Sequence, residues 1–357
     1  MIKRYTLIAF ISLLGMISAQ AQFFFQPVYP DLDGSSLLEQ LKETYKPSMV
    51  LDYNTARDTL FSKVDAVDDT LYCIYTGMGI FIPPGSDPTQ AVYMNGLPNG
   101  INTEHCYPES KGASGVAKGD MHNLFPSKSK VNSDRADKEY DDIPDNETKR
   151  WYYLINEMTS PPPTQTRDLY SETNNDYFEP RESVKGDIAR AIFYFYTMYT
   201  DQSLAADSHF FENQMETLCE WHYYDPVDSV EWVRNQKIAF YQGGSLNPYI
   251  LDCSLVSRAF CNNIDQTCEA TVDVVDNTVT NQVVSVNYAY DKIQLRFQSS
   301  FTGNFICFDM MGRLLFRHSL EQSDFEEFYM PLSGNNLVYC LIVDDGGQVI
   351  YAKVLCP

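Results

Sequence analysis

The chain has 357 residues, 44% hydrophobic and 14% aromatic, with 25 Tyr and 21 Phe. That is ample apolar mass for a packed core and excludes global disorder. A formal charge of −22 excludes a protein that coats nucleic acid through a basic surface. It does not exclude an enzyme that grips a phosphodiester locally with the help of a divalent cation.

At the start, Lys3 and Arg4 precede the apolar run LIAFISLLGMI, which ends in Ala19-x-Ala21. This is the pattern of a cleavable signal peptide over residues 1–21. The run is short for a membrane span and no other long apolar run follows. The mature chain is therefore expected to begin near Gln22, to be secreted or held at the cell surface after periplasmic transit, and to make no stable membrane insertion. Nine cysteines follow the leader: Cys73, Cys106, Cys219, Cys253, Cys261, Cys268, Cys307, Cys340 and Cys356. In an oxidising compartment structural disulfides are expected of them, with connectivity left open.

Along the chain, SSLLEQLKETYK shows helical spacing and a capping box at Ser36 and Glu39. NTARDTLFSKV reads as a second helix, and TLYCIYTG as a short strand closed by Gly77. Residues 81–100, rich in Pro, Gly and Asn, read as loop. From Trp151 to Pro180 the sequence suggests a helix start, a PPP break and further loop. KGDIARAIFYFYTMYT is a buried helix on the spacing of Ile188, Ile192, Phe195 and Tyr199, with Asp187 suiting the dipole at its start. Lys185 and Arg190 are placed on a solvated face that could also meet DNA. Another helix is expected around VEWVRNQKIAFYQ. Near residue 262 the composition turns polar and β-branched, which marks a linker over 262–283. KIQLRF, NFICFDMMGRLLFRH and LVYCLIVDDGGQVIYAKVL then read as short strands, with turns at Met311-Gly312 and Asp344 to Gly347, forming a small β-sandwich over 284–357.

The chemistry concentrates between NTEHCYPES and GDMHNLFPSKSKVNSDRAD. Phosphodiester hydrolysis needs a base near neutral pH, for which uncharged His is suited. It also needs a hard cation held by oxygen ligands. TEHCY can be a strand presenting Glu104 and His105. GDMHNLF can be the return strand carrying Asp120, His122 and Asn123, and NSDRADKEYDD a helix starting at Asn132, which would then be its cap.

The spacing E-H-x-x-P, D-M-H-N-L-x-P and V-N-x-D-R resembles the secreted bacterial endonuclease I family of the His-Me finger, or ββα-metal, nucleases. ARDTLFSKV, YTG, FEPRESVKGDIARAIFYFYTMY and RNQKIAFYQGGSLNPYI follow in the same order, so the resemblance spans roughly residues 53–252. It implies an α+β fold, with a mainly helical domain over 22–261 around a ββα-metal core. His105 would be the general base. Glu104 and Asn132 would be ligands of one Mg²⁺, with Mn²⁺ or Ca²⁺ able to take its place. Asp120, His122 and Asn123 would be supporting residues, and Arg135 would brace the site or touch phosphate. The implied substrate is DNA, with RNA for some members, cut without sequence preference. Two departures stand out. QGGSLNPYI puts Gly244, Ser245 and Leu246 where the family usually carries a basic residue. The insert between Pro108 and Asp120 offers only Lys111 and Lys118, which lack arginine's bidentate fork. The tail, from FDMMGRLLFRHSL onward, resembles a type IX secretion sorting domain and implies an outer-membrane export machinery as partner. Two rival readings stand beside it: a catalytically weak or inactive nuclease-fold surface protein, and a Cys106 nucleophile served by His105 or His122, which the sequence favours less because adjacent residues rarely present side chains to one centre.

Overall fold

The computed structural model describes residues 28–261, 283–289, 292–309, 314–329, 338–344 and 349–355. The leader, nearly all of the predicted linker and both predicted C-terminal turns lie outside the described residues. Helix α1 (Gly34–Tyr45) buries Leu37, Leu41 and Tyr45 on one stripe. Asp33 precedes it and no side chain caps it. Ser36 thus falls inside the first turn, and the expected capping box does not form. Helix α2 (Tyr53–Thr59) is capped by Asp52, whose carboxylate accepts from the backbone N–H groups of Asn54 and Thr55. It runs on into a π turn, Leu60–Val64, that buries Leu60, Phe61 and Val64.

Strands β1 (Ala66–Val67), β2 (Thr70–Tyr72) and β3 (Gly79–Phe81) form a small antiparallel sheet. Residues 81–100 are not all loop. They contain α3 (Pro88–Tyr93), started by the Asp87 cap and Pro88 in its first turn, a start signal that local Gly and Asn density obscured. Strands β4 (Ile101–His105) and β5 (Leu124–Lys128) pair as a two-stranded sheet, and α4 (Ser129–Arg135) follows directly. Beyond it come β6 (Glu139–Tyr140), β7 (Arg150–Tyr153), β8 (Asn156–Met158), β9 (Ser171–Thr173) and β10 (Tyr177–Glu179). They join in the order β6-β10-β9-β7-β8. Trp151 therefore lies in a strand rather than at a helix start. Its β-prone neighbours pair with β8 and β9, which sequence spacing could not show.

Helix α5 (Lys185–Met198) is buried on nearly every face, as an all-round apolar helix must be. It is followed by α6 (Thr200–Ala206), α7 (Phe210–Tyr224), α8 (Ser229–Tyr241), α9 (Pro248–Leu251) and α10 (Ser254–Ala259). Helix α7, unread in the sequence, packs on α5 through Tyr196 stacked on Phe211 at 3.8 Å and Phe193 against Phe211 at 5.9 Å. Lys185 and Arg190 are not on a solvated face. Arg190 is fully buried, donating from Nε to Glu231 Oε1 at 2.7 Å and from Nη1 to the Asp225 carbonyl at 2.9 Å. Lys185 is buried among Glu179, Asp142 and Glu182 at 2.7–2.8 Å. Removing either partner would strand a buried charge, so these groups hold elements together and leave nothing for DNA.

Strands β11 (Val283–Ala289), β12 (Lys292–Asp309), β13 (Leu314–Tyr329), β14 (Val338–Asp344) and β15 (Val349–Leu355) make the all-β C-terminal region. They form one hydrogen-bonded sheet running through β12, whose register with β13 breaks between Arg296 and Gly303. Residues on both sides of that break, Ile293, Leu295, Phe305 and Cys307 among them, share one apolar cluster.

Cys219 of α7 and Cys261, beyond α10, form a disulfide with Cα atoms 6.2 Å apart and a sequence separation of 42. Cys253 is disulfide-bonded as well. Replacing both Cys219 and Cys261 by Ser should lower the unfolding free energy by roughly 4 kcal/mol on the loop-entropy account. A denaturant midpoint unchanged from the native protein would rule that contribution out.

Candidate active site

Strands β4 and β5 pair antiparallel with Glu104 opposite Phe125 and His105 opposite Leu124. Glu104 and His105 are consecutive, so the strand's alternation gives them different neighbours. His105, at the end of β4, places Nε2 3.0 Å from the Lys118 carbonyl. A carbonyl oxygen only accepts, so Nε2 carries the hydrogen and the lone pair of the neutral ring sits on Nδ1. The Tyr53 ring stacks on the imidazole at 5.4 Å. Burial holds the ring down to about 4, well below an ordinary histidine, although the Lys118 carbonyl and Glu109 pull the other way. Near neutral pH the ring is uncharged, with Nδ1 able to accept a proton. The Lys118 carbonyl is itself fixed by packing: a Cβ on Gly119 would lie 2.3 Å from the Leu51 carbonyl, so only glycine lets the insert approach this closely.

Glu104 is buried, and Tyr75 donates to its Oε1 at 3.0 Å. The Tyr75 and Tyr140 hydroxyls stand 2.7 Å apart. Arg135 Nη1 lies 3.2 Å from the same Glu104 oxygen. Burial pushes the Glu104 carboxyl up to about 7 even so, outweighing Arg135 and Tyr75, which both favour the charged form. The guanidinium of Arg135 also donates to the His105 carbonyl at 3.1 Å and the Cys106 carbonyl at 2.6 Å, and it packs over the Tyr140 ring at 4.5 Å. At 1% exposure it cannot reach a substrate from this position. Of its two expected roles, bracing is the one the geometry matches.

Two expectations need correction. Asp120, His122 and Asn123 do not lie on the return strand, which begins at Leu124. They occupy a 3₁₀ turn that Asp120 caps through the His122 N–H. Asp120 is fully buried: Oδ2 accepts from Tyr194 at 2.9 Å and Tyr199 at 2.8 Å, and Oδ1 from Gln242 at 2.9 Å and His122 N–H at 3.1 Å. Its lone pairs are committed to α5 and α8, which makes it a structural hub. His122 Nε2 donates to the Ser245 carbonyl at 3.0 Å, and Asn123 both accepts from and donates to the Tyr107 backbone. Asn132, second, is not a helix cap. Helix α4 starts at Ser129 because β5 leads straight into it, and it ends at Ala136 with φ +53°. The rival reading of Cys106 as a nucleophile fails: it is wholly buried and burial pushes its thiol far up.

With Asn132 inside the helix, its side chain is not spent on capping. Its Oδ1 is buried without a hydrogen-bond partner, a costly state unless something else meets it. An orphaned amide oxygen near the hairpin, together with a buried carboxylate whose charge is under-compensated, suits a hard divalent cation taking oxygen ligands. Among the described residues no group of three or more His, Cys, Asp or Glu could hold a metal, so such a cation would rest on Glu104 and Asn132 with water. Tyr53, Tyr75, Tyr140 and Glu109 were not singled out from the sequence. Tyr75, Tyr140 and Glu109 lie within the motif stretches YTG, NSDRADKEYDD and NTEHCYPES, but nothing local marks them.

A sequence model for endonuclease I matches residues 34–253. The chain belongs to the endonuclease I family. Similar to it are an extracellular ribonuclease of Bacillus subtilis, 30% identical over 169 residues, covering 42% of this chain and 50% of that protein, and an extracellular deoxyribonuclease of Aeromonas hydrophila, 32% identical over 133 residues, 37% of this chain and 49% of that one. A periplasmic deoxyribonuclease of Aeromonas hydrophila is 31% identical over 133 residues, 37% of this chain and 47% of its own. The chain spans about half the length of these relatives.

The family site rests on the Asp120 hub, so Asp120→Ala should destabilise the protein by at least about 3 kcal/mol through its unsatisfied donors. Chemical denaturation measures this, and a loss under 1 kcal/mol would contradict the hub. Burial also lowers His122 from 6.5 to about 4. The unfolded ring therefore takes up a proton first as pH falls. The stability this ring supplies is complete above 6.5 and is lost down to about 4, amounting to about 3 kcal/mol. Replacing His122 by Gln should flatten that part of the stability–pH curve. An unchanged slope would refute the assignment.

Proposed function

We propose that this protein is a secreted endonuclease that hydrolyses phosphodiester bonds of DNA, and of RNA as well, without sequence preference. The observation that carries this reading is the tautomer of His105. Its Nε2–H is tied to the Lys118 carbonyl, which leaves Nδ1 as a fixed base. Nδ1 would take a proton from the attacking water while the water oxygen bonds to phosphorus and the P–O bond to the leaving oxygen breaks. Glu104 and Asn132 would hold a Mg²⁺, which when bound neutralises charge on the phosphate and on the leaving oxygen. Arg135 holds the His105 carbonyl and the Glu104 carboxylate in one frame, and so positions base and ligand without touching substrate.

Relatives named for ribonuclease and for deoxyribonuclease activity support a substrate class defined by the backbone rather than by one sugar. Their extracellular and periplasmic names, with the leader-like start, support secretion. No helix of the described residues is long and apolar enough to cross a membrane. The C-terminal sheet is proposed as the type IX export signal that its strand motifs resemble.

Plasmid nicking tests the reading. Native protein with Mg²⁺ should convert supercoiled plasmid to open circles, and chelation with EDTA should stop it. His105→Ala should cut roughly 10²–10⁴-fold more slowly. Plasmid left intact by native protein in both Mg²⁺ and Mn²⁺ would overturn the proposal. For the cation site, Asn132→Ala should weaken Mn²⁺ binding in calorimetry while leaving the folded state intact. Unaltered Mn²⁺ affinity would remove Asn132 from the ligand set.

A further inference from the structure

Glu109, four residues after His105, opens the 3₁₀ turn that follows β4, and its two carboxylate oxygens face two groups of the site. Oε1 is 3.7 Å from His105 Nδ1, the nitrogen left to accept a proton. Oε2 is 2.9 Å from Lys118 Nζ. That ammonium lies 4.6 Å above the Tyr53 ring, which stacks on His105, and the Arg57 guanidinium covers the same ring at 5.2 Å. One carboxylate thus spans the base and the nearest cation. The other lysine of the insert, Lys111, is committed to Asp207 at 2.8 Å.

The character of this pair differs from that of the Glu104–Arg135 pair beneath it. The Glu109 side chain is 47% exposed and that of Lys118 34%, so the ion pair is solvated, worth little and easily broken. Glu109 presents one anionic oxygen to an ammonium and the other to the base, places that the oxygens of a backbone phosphate can also take. A nucleic-acid phosphate brought to His105 would meet the Glu109 carboxylate already there, and two anions would not share the place.

We infer that Lys118 and the Tyr53–His105 stack form an anion seat which Glu109 fills in the free protein, and that the backbone phosphate of the substrate displaces this carboxylate. The inference rests on the nuclease reading above and adds that substrate binding is an exchange of anions at Lys118. Glu109 then weakens binding and does not take part in the chemical step. No metal ion and no change of protonation enters the exchange.

The test is fluorescence anisotropy of a labelled duplex DNA with the full chain in EDTA, so that binding is read without cleavage. Glu109→Gln should bind about two- to five-fold tighter, the factor an exposed ion pair is worth. Lys118→Met should bind more weakly, with a log–log salt dependence shallower by about 0.9. In that background Glu109→Gln should add nothing, since the two residues act as one unit. In plasmid nicking, Glu109→Gln should lower KM and leave kcat unchanged. Unchanged or weaker binding by Glu109→Gln would overturn the inference. So would a fall in kcat at constant KM, which would make Glu109 a partner of protonated His105. Tighter binding by Glu109→Gln in a protein that fails to nick plasmid would retain the seat and refute the nuclease reading. Nicking by native protein with no effect of either variant would do the reverse.

Discussion

One guanidinium ties the site together. Arg135 is buried at the end of a seven-residue helix and meets the His105 carbonyl, the Cys106 carbonyl and the Glu104 carboxylate at once. A charge that deep is tolerated only when it is paired and hydrogen-bonded. These contacts, made by Nη1 and Nη2 while the buried Nε has no partner, fix α4 against the end of β4, and with it Asn132 relative to Glu104. A shift of the helix or the strand would strand a charge, which is why so short an element can hold a site rigidly.

A second anchor sets the insert that returns the chain to β5. Asp120 takes four hydrogen bonds from α5, from the residue just past α8 and from its own turn. Gly119 packs against the Leu51 carbonyl, and the residue before it supplies the carbonyl that fixes the His105 tautomer. The buried helix α5 therefore serves the chemistry indirectly. It carries Tyr194 to Asp120, and its neighbours keep the insert in place. His122 and Asn123, read as supporting residues in the sequence, are spent on backbone groups of Ser245 and Tyr107.

Charge is divided in the same spirit. Several arginines and lysines that a sequence reading would offer to nucleic acid are buried in ion pairs, Arg190 with Glu231 and Lys185 with Glu179 among them. Beside His105 stand the partly exposed Lys118 and Arg57 and the exposed Glu109. An acidic chain can handle a polyanion if its few available cations are local and their counter-ions are exchangeable. The Ser245-Leu246 departure falls into place here too: Leu246 is buried and the Ser245 carbonyl receives His122, so that loop closes the core.

The sequence by itself determined the order of the family motifs, the buried character of α5 and the switch to strands near the C-terminus, and it offered Glu104, His105 and Asn132 as a candidate set. These are local or periodic signals, carried by spacing and side-chain type. It misplaced the return strand, the start of α4 and the conformation around Trp151, because those depend on partners far along the chain. Strand pairing put Trp151 in a sheet, and hydrogen bonds from Tyr194, Tyr199 and Gln242 give the supporting residue Asp120 its part as a hub. Only the tertiary structure could decide which nitrogen of His105 carries its hydrogen, since that depends on a carbonyl thirteen residues away. It alone could place Arg135 beneath the site and set Glu109 between the base and Lys118. A side chain's chemistry is written in its type, but its availability depends on what folding brings against it.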